Sequence, residues 1–347
     1  MTITKFSVNK KKNKIILDII LVLCILLLLI ILLSSPVHYS NMFIEGLMLF
    51  ATSVMPGLFP FMFLTRILTN ISSIKRLSNK CNKFMQKCFK SPGIGAYTML
   101  LSNISGYPIG AKIIGDLVTN QIVDDCEAKN MLTYSMTSGP IFMIGTVGAI
   151  MFRNTKVGII IMISHLLSNI ITGIILCNIK SSKTNRTPLL LNEPILNNSK
   201  HIEIDKILSD SMISSVQSIL IVGGFISIFY VFTGILFDLK VINIISIPIS
   251  KLFEIIGINP QISRGIMSGI IEVTRGIKEL SPFFSSYPKI VTSLSSALIS
   301  FSGLSIIFQS KAFLAHTKIK TRFLIFSKSV HAIICFITCL IICNIIF

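Results

Sequence analysis

Charged and titratable side chains set inside apolar sequence are the first candidates for chemistry. Lys112 and Asp116 stand four residues apart, on one helical face, within the largely apolar stretch 94–119. Glu272, Arg275, Lys278 and Glu279 occupy the corresponding place in the stretch 261–280. A charge at the middle of a bilayer costs ~2.5–3.5 kcal/mol on insertion scales, so each calls for a partner or a water-filled cavity. Two readings stay open for Lys112 and Glu272. They bind a solute or a coupling ion, or they snorkel or pair structurally near an interface. For Lys278 and Glu279 the structural reading is favoured, because Pro282 soon follows. His165 and His331 lie within apolar spans, where each can relay a proton near neutral pH or hydrogen-bond a neighbouring helix.

The second set of candidates is a series of helix breakers inside apolar segments: Ser105-Gly106-Tyr107-Pro108, Thr137-Ser138-Gly139-Pro140, Ser268-Gly269 and Ser302-Gly303. Lipid offers no hydrogen-bond partner, so broken backbone survives only where protein or a cavity satisfies it. The amides freed at a half-helix N-terminus can hold an anionic or polar ligand group. These breaks are therefore expected to line a shared polar site, with Lys112 and Glu272 as its charged groups. Ser305 and Gln309 follow the last break, and Gln309 either donates to a ligand or caps a helix.

Other chemistries find little support. There is no Ser-His-Asp order, Walker loop, zinc-ligand spacing or HExxH motif, so no enzyme, metal site or cofactor is expected. The chain has eight cysteines. Cys335, Cys339 and Cys343 share one helical face, and packing of small side chains between helices is the expected role.

The elements that must position these residues are membrane helices. Of 347 residues, 52% are hydrophobic and only 13% charged, about half the charged share of a soluble domain. Apolar blocks reach the ~20 residues that cross a bilayer. The first, residues 15–33, follows a basic run at 10–14 and is too long for a signal-peptide core, so it is read as a retained helix with a cytoplasmic N-terminus. The net charge of +18 sits mostly between apolar blocks. That is the positive-inside pattern, and nucleic acid is not an expected partner. Residues 71–90 alternate apolar positions (Ile71, Ile74, Leu77, Cys81, Phe84, Met85, Cys88, Phe89) with Lys75, Arg76, Lys80, Lys83, Lys87 and Lys90 at helical spacing. This describes an amphipathic helix on an anionic membrane surface.

The chain also contains an internal repeat. Ser105–Leu117 aligns with Ser268–Leu280, Ser138-Gly139 with Ser302-Gly303, and His165–Ile179 with His331–Ile345, at offsets of 163, 164 and 166 residues. The expected fold is an all-α polytopic membrane protein of two repeats, each with a re-entrant or broken helix, plus an N-terminal helix. Its divisions are a basic N-terminus and first helix (1–40), a first repeat (41–180), a polar hinge (181–210) and a second repeat (211–347). If 94–119 and 261–280 re-enter rather than cross, the repeats are inverted. The linkers favour this: 71–90 carries six basic residues and no acid, whereas 238–259 carries two of each. Duplicated membrane units with broken helices suit a transporter-like scaffold with its site at the repeat interface. The alternative is a non-transporting scaffold or receptor built on the same fold.

The motifs resemble those of the sporulation integral membrane proteins of the YlbJ type. The resemblance rests on Leu58-Phe59-Pro60-Phe61, Ser105-Gly106-Tyr107-Pro108-Ile109-Gly110-Ala111-Lys112, and Thr137-Ser138-Gly139-Pro140 with Ile144-Gly145-Thr146-Val147-Gly148. Ser268-Gly269-Ile270-Ile271-Glu272-Val273-Thr274 and Ser302-Gly303-Leu304-Ser305 extend it into the second half. It implies a multi-pass cell-membrane protein of endospore formers, needed for heat-resistant spores. It also implies a nucleoside-recognition Gate domain, since Met136-Thr137-Ser138-Gly139 with Gly145-Thr146-Val147 is similar to the unwound helix of concentrative nucleoside transporters. Ile307 departs from the family, which often has His there. The partners expected are the bilayer, a small polar solute of nucleoside-like character, a coupling H+ or Na+, and a second copy of the chain.

Overall fold

The computed structural model describes residues 2–69, 73–179 and 204–346. The predicted hinge thus lies outside the described residues, apart from 204–210, which open a long helix. Among the described residues the α-helices, in chain order, are α1 (Thr2–Ser34), α2 (Pro36–Leu49), α3 (Met55–Thr69), α4 (Ser73–Phe89), α5 (Ile94–Ser105), α6 (Ile109–Thr119), α7 (Asp125–Ser135) and α8 (Thr155–Ile179), then α9 (Ile204–Asp238), α10 (Val241–Ile255), α11 (Ile262–Ile271), α12 (Val273–Leu280), α13 (Pro288–Phe301), α14 (Gly303–Phe313) and α15 (Thr321–Ile346). Short π-helical runs join α2 to α3 (Phe50–Val54) and follow the gap after α7 (Ile141–Met151).

Among the described residues, five stretches are long and apolar enough to cross a membrane: Pro36–Leu64, Thr155–Ile179, Ile204–Asp238, Pro288–Phe313 and Thr321–Ile346. Their outward faces carry exposed Leu, Ile and Phe, the surface that lipid covers. The chain is an all-α polytopic membrane protein.

The same order of elements occurs twice: a long helix, a surface helix, two short helices, a broken helix, and a final long helix. In α4, Lys80, Lys83, Lys87 and Lys90 are exposed while Met85 and Phe89 are buried, so the basic face is solvated and the apolar face packs inward. Phe84, read from spacing as apolar-face, is 60% exposed.

The short helices α11 and α12 fold back on each other. A Cβ built on Gly276 would lie 2.2 Å from the Gly269 Cα, and one on Gly265 would meet the Leu280 side chain at 2.8 Å. Only glycine permits such approach of two helix backbones. The pair α5 and α6 bends back likewise, with Gly110 against Ser102 and against the Ser135 carbonyl of α7. Both ends of this bend lie beside the N-terminal part of α7: Asn130 donates to the Lys90 carbonyl, and Asp124, just past α6, caps α7.

Long helices in corresponding positions pair antiparallel. Along α2 and α9, His38 meets Asp238, Glu45 meets Tyr230, and Phe50 packs on Gly223. Along α8 and α15, Thr338 reaches the Ser164 carbonyl while His331 meets Ser168. Small apolar clusters lie along each pair, and two larger cores flank them. One surrounds α5–α6 and takes in Met131 of α7 and Ile307 and Leu314 of the α14 end. The other surrounds α11–α12 and takes in Met143 and Val147 of the first broken helix and Leu298 of α13. Each broken helix passes from one core to the other, and its break falls at the boundary.

Candidate functional site

The first break has a simple backbone cause. α7 ends at Ser135, and Pro140 has no N–H to return to the Met136 carbonyl four residues back. That carbonyl accepts a 2.6 Å hydrogen bond from Lys328 Nζ on α15 instead. The neighbouring Ser138 N–H donates to His165 Nε2 at 3.0 Å. A backbone N–H can only donate, so Nε2 is the acceptor and His165 is the neutral Nδ1–H tautomer. Its Nδ1 then donates to Ser300 Oγ, 2.8 Å away, at the end of α13.

The second break is made by backbone conformation. Ser302 and Gly303 hold φ of 74° and 69°. For serine this left-handed conformation costs energy and persists only where the surroundings impose it. Gly303 sits against the tip of the α11–α12 hairpin, where a Cβ would lie 3.2 Å from the Gly269 and Ile271 carbonyls. The other hairpin does the same at the first break. Gly106, with φ 79° and ψ −170°, lies against Gly139, and a Cβ there would be 2.5 Å from the Gly139 nitrogen. Each hairpin tip thus abuts the break of its own half.

Between these tips lies a cavity of about 60 Å³, enough for a few waters or a comparably small solute. Ser105, Tyr107, Ser138, Gly139, Glu272 and Gln309 line it, six of the residues expected from sequence. Most of the remaining wall is apolar, from Val54, Leu58, Val222, Ile226, Ile299 and Ile306. Ser105 Oγ is buried with no hydrogen-bond partner. Glu272 is 1% exposed and caps α12, its carboxylate accepting the Arg275 N–H at 2.7 Å. Tyr107 O–H reaches the Ile299 carbonyl at 3.3 Å, tying the first hairpin to α13.

The other candidates stand around this cavity rather than in its lining. Lys112 turns to α9, where it donates to Ser214 Oγ at 2.8 Å, to the Ser214 carbonyl and to Ser218 Oγ. Asp116 pairs with Arg66 at 2.9 Å. Ser268 donates to Glu279 at 2.7 Å, and Glu279 also holds Arg275. Gly269 serves the hairpin contact, and Pro108 precedes α6. Thr137 Oγ1 is buried without a partner beside the first break. Ser302 and Gly303 shape the second break, and Ser305 accepts from Gln309 at 3.3 Å. His165 and His331 lie behind the first break, ring centroids 4.8 Å apart.

Sequence reasoning missed Lys328, Ser53 and Thr274. Both Ser53 and Thr274 line the cavity; Thr274 closes the quoted second-half motif, whereas no motif marks Ser53. Lys328 is 2% exposed, 3.1 Å from His331 Nδ1 and 5.0 Å from the Tyr107 ring centroid. Among the described residues no carboxylate pairs with it. Its signal was available: a lone lysine one turn before His331 in an apolar span, where the aligned position of the first repeat is Met162. Lys328 reaches from the last helix of the second half to the break of the first, whereas His165 holds the break of its own half and reaches Ser300 of the other.

Fold and site together define a multi-pass membrane protein whose broken helices meet at a small buried cavity. Over 290 residues the chain is 27% identical to the sporulation integral membrane protein YlbJ of Bacillus subtilis (strain 168), covering 80% of this chain and 71% of that protein. That similarity supports the YlbJ-type assignment carried by the motifs. No protein-family profile matches the chain, and no solved structure matches it.

Proposed function

We propose that the chain is a transporter-like protein of spore formation that binds a small polar solute between two inverted repeats. The observation that carries this reading is convergence: the two hairpin tips and the first helix break line one cavity, and the second break abuts it. Inversion is supported by the antiparallel pairing of α2 with α9 and of α8 with α15, since equivalent helices of inverted units run in opposite directions. It makes 94–119 and 261–280 re-entrant from opposite faces, while the cytoplasmic N-terminus rests on the basic run at 10–14. The role in spores follows the relative's name. The buried Glu272 carboxylate, with unpartnered Ser105 Oγ facing the same space, suits a ligand bearing hydrogen-bond donors or a coupling H+ or Na+. The Gate-domain likeness adds nucleosides to the candidates, although the cavity must widen to take one.

The test is a thermal-shift and uptake screen on the purified full chain, with nucleosides and spore-core metabolites first. A solute that binds should lose its effect in Ser105→Leu and Ser138→Leu, which fill the cavity. If sporulation yields heat-resistant spores as in wild type with both positions replaced, the solute site is wrong and the scaffold reading stands.

A further inference from the structure

A second, larger cavity lies away from the central one. It measures about 360 Å³ and runs between the start of α7, the end of α8 and the turn into α15. Lys129, Lys318, Lys320 and Arg322 line it, together with Asn130 and Thr133. None of these four cations is paired with a carboxylate among the described residues. The acids nearby are otherwise engaged. Asp124 and Glu127 cap α7 reciprocally, and Asp125 accepts the Lys318 backbone N–H at 3.0 Å. The first turn of α15, which carries Arg322, contains no acid to offset its positive dipole end.

The opposite wall is apolar: Leu176, Phe323 and Phe326. Phe326 is 48% exposed, and Ile175 and Ile179 extend an exposed apolar surface along the same end of α8. A groove with cations on one side and lipid-facing hydrocarbon on the other matches an amphiphile with an anionic head. A free phosphate would use the cations and leave the aromatic wall unused.

We infer that this groove is a binding site for one anionic phospholipid. The headgroup phosphate is held by Lys129, Lys318, Lys320 and Arg322, and an acyl chain lies along Phe323, Phe326 and Leu176. Basic pockets between membrane helices take such headgroups, each cation near the surface contributing roughly a fivefold gain in affinity. The site is separate from the central cavity, so it stands or falls independently of the solute reading.

The experiment is native mass spectrometry of the detergent-purified full chain with phosphatidylglycerol, cardiolipin or phosphatidylcholine added, and a thermal-shift series that includes inorganic phosphate. Phosphatidylglycerol or cardiolipin should stay bound and raise Tm where phosphatidylcholine does not. Lys318→Gln/Lys320→Gln/Arg322→Gln should weaken retention by roughly a hundredfold. Raising salt on the wild-type protein should weaken it in the same sense, a measurement that needs no variant to fold. Equal retention of phosphatidylcholine, or salt-independent retention, overturns the proposal. A phosphate-induced shift as large as that of phosphatidylglycerol replaces the lipid with a free anion.

Discussion

Replacing Gly106 with alanine tests how the hairpin tip and the helix break fit together. Gly106 holds φ 79° and ψ −170°, a region open essentially to glycine, so any side chain there costs about 1–3 kcal/mol. The new Cβ would also lie 2.5 Å from the Gly139 nitrogen and 3.1 Å from its Cα. Those are backbone atoms, which cannot rotate away, and overpacking of this kind costs a further ~1–3 kcal/mol. The sum is roughly 2–6 kcal/mol, which at about 2–4 °C per kcal/mol lowers Tm by roughly 4–24 °C. The buried free thiols Cys177, Cys335, Cys339 and Cys343 make a thiol-reactive dye a direct reporter of melting. Gly224→Ala is the control: nothing lies within 4 Å of a Cβ at that position of α9, so Tm should hold or rise slightly. If Gly106→Ala melts with Gly224→Ala, the tip does not bear on the break, and the account of the cavity's walls is wrong.

Gly276→Ala should separate α12 from α11, because its Cβ would fall 2.2 Å from the Gly269 Cα, and Tm should drop by at least as much as for Gly106→Ala. For a solute found by the screen, Lys112→Met should leave binding intact, since Lys112 is occupied with Ser214 and Ser218, whereas Glu272→Gln, at the cavity wall, should reduce it about tenfold or more. Accessibility tags placed after Lys90 and within 238–259 should report opposite faces of the membrane. If both report one face, the inversion fails while the repeat remains.

The fold class was legible because bilayer length and hydropathy act on each helix separately. The breaks were legible for a similar reason. Gly106, Pro140 and Gly303 are local backbone decisions, written where they act. Which charges face the cavity was not legible. Lys112 and Glu272 stand three positions apart in the aligned motif, yet one points to α9 and the other into the cavity, because packing against the long helices decides it. Lys328 stood out as a lone lysine, but what it holds was hidden for the same reason. Its partner is a carbonyl 192 residues away, orphaned by a proline, and nothing in the local sequence of α15 names it.

That separation matters for how the protein is made. An unsatisfied carbonyl in a low-dielectric setting costs several kcal/mol. From the time α7 enters the membrane until α15 is synthesised, the Met136 carbonyl has no ammonium to receive it. The nascent first half therefore carries an unfinished polar turn, completed only across 192 residues of chain. Delivery of the last helix both closes the turn and brings His331 beside Ser168.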